Sequence, residues 1–125
     1  MALPKQHRLC SPKAFAQVYR LGRRASGSCI AVKALKICPP SPGTVAVLGA
    51  RFGISISRKV SKKAVTRNRI KRQIRAGVQL LLPRAKPGWH VVISVRSAAV
   101  NCQYAEFLQE LEQQLTKLEV IDGHQ

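Results

Sequence analysis

The stretch Gly53-Ile54-Ser55-Ile56-Ser57-Arg58-Lys59-Val60-Ser61-Lys62-Lys63-Ala64-Val65-Thr66-Arg67-Asn68-Arg69-Ile70-Lys71-Arg72-Gln73-Ile74-Arg75 changes its period halfway along. Its start completes Arg51-Phe52-Gly53-Ile54-Ser55-Ile56-Ser57, where Phe52, Ile54 and Ile56 alternate with small or polar residues, as in a strand with one buried face. From Ser61 to Leu82 the apolar positions Ile70, Ile74, Val78 and Leu81 follow 4-4-3 spacing instead. That is one stripe of an α-helix, and Pro83 ends it. At about 100° per residue the stripe spans roughly 80°, while Asn68, Arg69, Lys71, Arg72 and Arg75 fill the opposite arc and Arg67 lies near the border. Such a helix docks its apolar stripe on a sheet and leaves a basic face in solvent.

The flanking sequence supplies the rest of that sheet. Trp89-His90-Val91-Val92-Ile93-Ser94-Val95-Arg96 reads as a strand whose unbroken apolar centre suits an interior position covered on both faces. Cys29 to Ile37 reads as another, with Ile30, Val32 and Ala34 on one face and Lys33 on the other. Between them Cys38-Pro39-Pro40-Ser41-Pro42-Gly43 is a loop, and Thr44 to Ser57 is β-prone, interrupted by Gly49 and Gly53. Near the start, Ser11 suits a helix N-cap, Pro12 the first helical position and Gly22 the C′ position, with Phe15, Val18 and Tyr19 on one face. Arg23, Arg24 and Ser26-Gly27 read as a basic, flexible link. Asn101 to Leu118 reads as a second long helix with Tyr104, Leu108, Leu111, Leu115 and Leu118 down one side. The predicted order is helix, two or three strands, long helix, strand, helix: a small α+β or α/β sandwich with a central sheet of about four strands.

A chain of 125 residues is one domain with a modest core. We read it as a domain over 1–118 followed by a short acidic tail, 119–125. The formal net charge is +17, and its distribution is uneven. No Asp or Glu occurs from Met1 to Ala105, a body of net charge +21, while Glu106, Glu110, Glu112, Glu119 and Asp122 leave the remainder at −4. That body offers no matched carboxylates for acid–base chemistry and no carboxylate cage for a catalytic metal. No catalytic residue or metal site is therefore expected. His7, His90 and His124 are far apart in sequence, and a protein-borne His/His ribonuclease site is not expected either. Cys10, Cys29, Cys38 and Cys102 are scattered without a CxxC pair, which points to reduced thiols rather than zinc. No apolar run suits a membrane span, and the N-terminus lacks the apolar core of a signal peptide.

The excess charge points to a polyanion. Half of the eighteen residues from Arg58 to Arg75 are basic. A merely solvated helix face carries both signs. This one sets like charges at helical neighbours (Arg67–Lys71, Lys71–Arg75, Arg69–Arg72), each costing a few tenths of a kcal/mol that an anionic partner would offset. Arginine also presents planar paired donors suited to phosphate. The acidic final helix is the element expected to face away from such a partner.

The string Arg67-Asn68-Arg69-Ile70-Lys71-Arg72-Gln73-Ile74-Arg75 resembles the RNR motif of the bacterial ribonuclease P protein subunit. Gly53 to Lys59 resembles that family's strand entering the crossover, Ala64 to Arg69 its helix start, Arg8-Leu9 with Phe15 and Tyr19 its first helix, and Val91-Val92-Ile93 with Arg96 its later strand. The resemblance runs from about His7 to Leu115. It implies a left-handed βαβ crossover, against the usual handedness, in a sandwich similar to a ribosomal protein domain. It also implies a cytoplasmic, monomeric protein that partners a catalytic RNA, which with its own Mg²⁺ removes the 5′ leader of precursor tRNA. The residues implied for the catalytic RNA are Arg58, Lys59, Lys62, Lys63, Arg67, Asn68, Arg69, Lys71, Arg72 and Arg75. Those implied for the leader are Arg96 and the pair Phe15 and Tyr19, which either stack on unpaired bases or belong to the core. Ile30 and Lys33 stand on the first strand where the family usually carries aromatics, so Lys33 is a candidate phosphate contact there. The alternative is a basic ribosomal RNA-binding protein without a leader cleft.

Overall fold

Among the described residues the helices and strands expected from apolar spacing form, and one further strand joins them. The computed structural model describes residues 7–9, 11–37, 50–86 and 88–121. Helix α1 (Pro12–Leu21) leads into strands β1 (Arg23–Ser26), β2 (Ile30–Lys36) and β3 (Arg51–Ser55). Helix α2 (Ala64–Leu81), strand β4 (Trp89–Val95) and helix α3 (Tyr104–Lys117) follow, with short 3₁₀ turns at Leu82–Arg84 and Ser97–Asn101. The loop read at 38–43 and the first part of the β-prone stretch lie outside the described residues.

The four strands form one mixed sheet in the order β1-β2-β4-β3. β2 pairs antiparallel with both β1 and β4, and β3 pairs parallel with β4. β4 is thus the interior strand its sequence suggests, and α2 joins two parallel neighbours. The register aligns Ala25, Val32, Ile93 and Ile54 in one row and Ala34, Val91 and Phe52 in the next. With Ile30 they form the apolar face against which α2 and α3 close the main core. The predicted α2 stripe is buried in full: Ile70, Ile74, Val78 and Leu81. α1 covers the other face over a smaller cluster of Leu9, Val18 and Val92.

Some expectations change. Arg23–Ser26 is a strand, not a link, because Ala25 is buried opposite Val32 in a tight hairpin. Four residues with one apolar position show too little alternation to be read locally. Gly22 caps α1 with φ −75°, so it is not there for a left-handed turn. A Cβ at Gly22 would sit 2.5 Å from the Val18 carbonyl oxygen, which Gly22 N–H binds at 2.8 Å. The buried face of α3 is Phe107, Leu111, Gln114 and Leu115, with Leu118 just beyond, while Tyr104 and Leu108 flank it. Packing also continues past the boundary read at residue 118: Val120 and Ile121 are buried, and Lys86 N–H donates to the Val120 carbonyl at 2.8 Å.

One carboxylate of the acidic helix is structural. The Glu110 carboxylate turns inward and accepts the N–H groups of Cys29 (3.1 Å) and Ile30 (3.3 Å) at the β1–β2 turn. Gln114 Nε2 donates to Glu110 (3.3 Å) and to the Ile30 carbonyl (3.2 Å). Alanine at Glu110 strands those donors, so Glu110→Ala lowers stability by about 2 kcal/mol. Gln109→Ala on the exposed side should stay within about 0.5 kcal/mol in the same urea titration.

Two of the cysteines also depart from expectation, while Cys10 and Cys38 lie outside the described residues. Cys29 and Cys102 are joined in a disulfide across a sequence separation of 73. Closing a loop of that length contributes about 4 kcal/mol in the chain-entropy view. Spacing could not reveal the pair, because only the tertiary fold brings the hairpin turn beside the entry to α3.

Candidate nucleic-acid interface

The turn into α2 is built by serines. Lys59 N–H donates to Ser57 Oγ and Lys63 N–H to Ser61 Oγ, both at 3.2 Å. Each is a local side-chain bond that fixes the backbone without a helix or strand. Arg67 folds back on the turn, donating from Nη1 to the Ser61 carbonyl at 3.0 Å and to that of Lys62 at 3.4 Å. Arg58, Lys59, Lys62 and Arg67 thereby line a cavity of about 470 Å³. No acidic residue stands in the first turn of α2, so the helix's own positive end adds to these cations.

Further along α2 the basic face divides. Asn68 and Arg72 are exposed, and Lys71 and Arg75 are half-buried. Arg69 leans toward the 3₁₀ turn before α3, where Nη2 donates to the Val100 carbonyl at 2.9 Å. It therefore positions that turn, and its half-buried guanidinium is less open than that of Arg72. Among the described residues, none of the cations from Arg58 to Arg75 pairs with a carboxylate; Glu112 instead binds Arg84 at 3.1 Å.

A second surface lies on the α1 face of the sheet. Strand register sets Arg24, Lys33, Val92 and Gly53 in one row across it, and Ser26, Ala31, Ser94 and Ser55 in the next. The second row is small and partly open, a floor beside α1. Phe15 rests on Gly53, where a Cβ would come within 2.3 Å of its ring. A glycine inside a strand thus marks the close approach of a helix side chain. Phe15 is half-buried and shared between core and surface, whereas Tyr19 is 40 % exposed. The Tyr19 hydroxyl lies 3.2 Å from Ser94 Oγ. Lys33 Nζ donates to the Tyr19 carbonyl at 3.0 Å and sits 5.3 Å from the centre of its ring. Arg96, exposed, follows Ser94 by two residues and shares its face.

The structure therefore brings Phe15, Tyr19, Lys33 and Arg96 to one face, and the α2 cations to a separate one. Sequence reading misses Ser94, and it gives no role to Arg24, which stands directly opposite Lys33. His90 lies on the α1 face near Arg51. Burial, and secondarily the Arg51 guanidinium, hold its imidazole below the usual histidine range, which favours the neutral form. His7 Nδ1 is 2.8 Å from the Ala50 carbonyl, a structural contact.

Comparison with known proteins agrees with this geometry. A family model described as Ribonuclease P matches residues 3–119. The ribonuclease P protein component of Microcystis aeruginosa is 49 % identical over 99 % of this chain and 100 % of its own length. That of Picosynechococcus is 48 % identical with the same coverages. A Staphylococcus aureus RNase P protein mutant with defective mRNA degradation activity superposes with TM-score 0.79 at 24 % identity, covering 94 % of this chain and 92 % of that one. The Thermotoga maritima RNase P protein gives 0.70 at 22 %, with 93 % and 98 % covered. Fold, sequence and basic motif converge: the chain belongs to the ribonuclease P protein component family.

Proposed function

We propose that this chain assists an RNA-catalysed endonuclease through two surfaces, one for the catalytic RNA and one for the 5′ leader of precursor tRNA. The α2 face, from Arg58 to Arg75, takes the catalytic RNA. The α1 cleft, with Phe15, Tyr19, Lys33 and Arg96, takes the single-stranded leader. The observation that carries this reading is the separation of the two surfaces: a row of cations without carboxylates on α2, and an aromatic pair over a small-residue floor beside α1. Stacking on unpaired bases is tolerant of sequence, which suits leaders that vary. Lys33, held at Tyr19, adds a charge to the ring's edge of the cleft, where a backbone phosphate would pass.

The reacting phosphate and its Mg²⁺ belong to the RNA. Mg²⁺ requires hard oxygen ligands in near-octahedral array, and the first 105 residues contain no carboxylate to supply one. The protein contributes charge neutralisation and positioning, acts in the cytoplasm, and enters the complex as a monomer.

Reconstitution tests the assignment. The purified chain with its cognate catalytic RNA should cleave precursor tRNA at a lower Mg²⁺ concentration than the RNA alone. An unchanged Mg²⁺ requirement, or cleavage by the protein without RNA, would overturn it. Phe15→Ala and Tyr19→Ala should each cost about 1–3 kcal/mol in discrimination between leader-bearing and mature tRNA. Their affinity for the catalytic RNA, measured by filter binding, should stay at the parental value.

A further inference from the structure

We infer that Cys29 and Cys102 form a reversible thiol–disulfide site whose state adjusts how firmly the chain grips RNA. The reversible chemistry stands on the pair itself; its coupling to RNA rests on α2 being the RNA-binding face.

The surroundings suit both redox states. The two sulfurs are bonded in the fold. Each also has an acceptor in place for a thiol proton. The Ala98 carbonyl lies 3.3 Å from Cys102 Sγ, and Glu106 Oε2 lies 3.9 Å from Cys29 Sγ. Once reduction lets the two sulfurs move apart, each thiol has an acceptor beside it. Both residues are buried, Cys102 (8 % exposed) less completely than Cys29 (2 %). A small thiolate therefore attacks Cys102 Sγ, forming a mixed disulfide there as Cys29 leaves as a thiolate and takes a proton. A second thiolate attacks the outer sulfur of the mixed disulfide. It releases the oxidised small disulfide and frees Cys102, which is protonated in turn. Two small thiols are oxidised to one disulfide while the protein gains two thiols. A glutathione-type disulfide drives the reverse.

The position of the crosslink links it to RNA. Cys29 accepts, through its carbonyl, the N–H of Arg96 at 2.9 Å. From Arg96 the chain runs through the Ser97–Asn101 turn to Cys102, held by Ala99 N–H to the Arg96 carbonyl at 2.9 Å and Cys102 N–H to the Ala99 carbonyl at 3.1 Å. The Val100 carbonyl of that turn is the anchor of Arg69. The disulfide thus clamps one end of a five-residue turn whose Val100 carbonyl orients a cation of the α2 face. Opening the clamp loosens the turn and the direction of Arg69.

The test uses the full chain equilibrated across ratios of reduced to oxidised glutathione. Thiol trapping with peptide mapping reads the Cys29–Cys102 crosslink, and filter binding reads affinity for the catalytic RNA. The crosslink should form and open reversibly across the series. Affinity should fall about three- to tenfold in the dithiol form, the scale of coupling carried by a packed network. Cys29→Ser and Cys102→Ser should bind like the reduced parent at every ratio, and Arg69→Ala should erase the difference between redox states. A pair that is never crosslinked, or never opened, at any ratio overturns the site. Reversible crosslinking with one constant RNA affinity overturns the coupling. Absence of RNA binding in both states would overturn the coupling together with the reading of α2, while the trapping measurement still decides the redox chemistry.

Discussion

Phe107→Ala will lower the unfolding free energy by about 3–5 kcal/mol, the cost of emptying a fully buried aromatic site. Phe107 has no exposed surface and sits in the main core, in the first half of α3. The neighbourhood has little freedom to collapse. α2 and α3 approach closely enough that a Cβ on Gly77 would lie 2.9 Å from Leu111 Cδ1. A void at Phe107 is therefore kept rather than filled, which favours the upper half of the range. The melting midpoint should fall by roughly 10–20 °C for a domain of this size. Phe15→Ala makes the contrast: Phe15 is half-buried over Gly53, so its truncation should cost clearly less stability while acting on leader discrimination. Equal destabilisation by the two would place Phe15 wholly in the core and remove it from the cleft.

The second large effect concerns RNA. Replacing Arg67, Arg69 and Arg72 together with alanine will weaken binding to the catalytic RNA by about a thousandfold, from roughly 1.5 kcal/mol for each charge-assisted hydrogen bond to phosphate. The slope of log affinity against log salt should also flatten by about 0.7–0.9 for each phosphate that is no longer neutralised. The three residues do not contribute alike. Arg72 is exposed, so in the proposed interface its truncation should remove a phosphate contact and leave the fold intact. Arg67 and Arg69 also hold the Ser61 and Val100 carbonyls, so replacing them disturbs the turn before α2 and the turn before α3. Arg72→Ala alone should then change the salt slope with unchanged thermal stability. An unaltered slope in the triple variant would remove α2 from the interface.

How much of this is legible in the sequence follows from the range of the interactions involved. The α2 stripe, the α1 cap at Ser11 and the doubly covered β4 are local patterns of period and capping, and the structure reproduces them. Strand β1 is hidden because its only core residue is Ala25, and its partner is the strand that follows it. The inward turn of Glu110 is hidden because a carboxylate on a helix looks solvated until the backbone donors of Cys29 and Ile30 are brought to it across some eighty residues of sequence. The Cys29–Cys102 pair is tertiary for the same reason. In the α1 cleft, helical spacing places Phe15 with Tyr19, and strand alternation places Lys33 away from the core. The bonds from Lys33 to the Tyr19 carbonyl and from Tyr19 to Ser94 depend on how α1 crosses the sheet, which no local pattern encodes.

The order of strands has a consequence for synthesis. β4 is the strand that connects β2 to β3, and its last residue, Val95, pairs with Ile30. Until Val95 has left the ribosome the sheet can be no more than the β1–β2 hairpin, and a lone hairpin is marginal in water. At roughly 5–20 residues per second, synthesis from the end of β2 to Val95 leaves the hairpin without the rest of its sheet for about 3–12 s. Throughout that interval the emerging segment contains no acidic side chain at all. Glu110, the carboxylate that locks the hairpin turn from α3, arrives only after the central strand. The polypeptide thus spends its birth as an uncompensated polycation beside a particle made largely of RNA, and its final helix offsets only part of that charge, leaving +17.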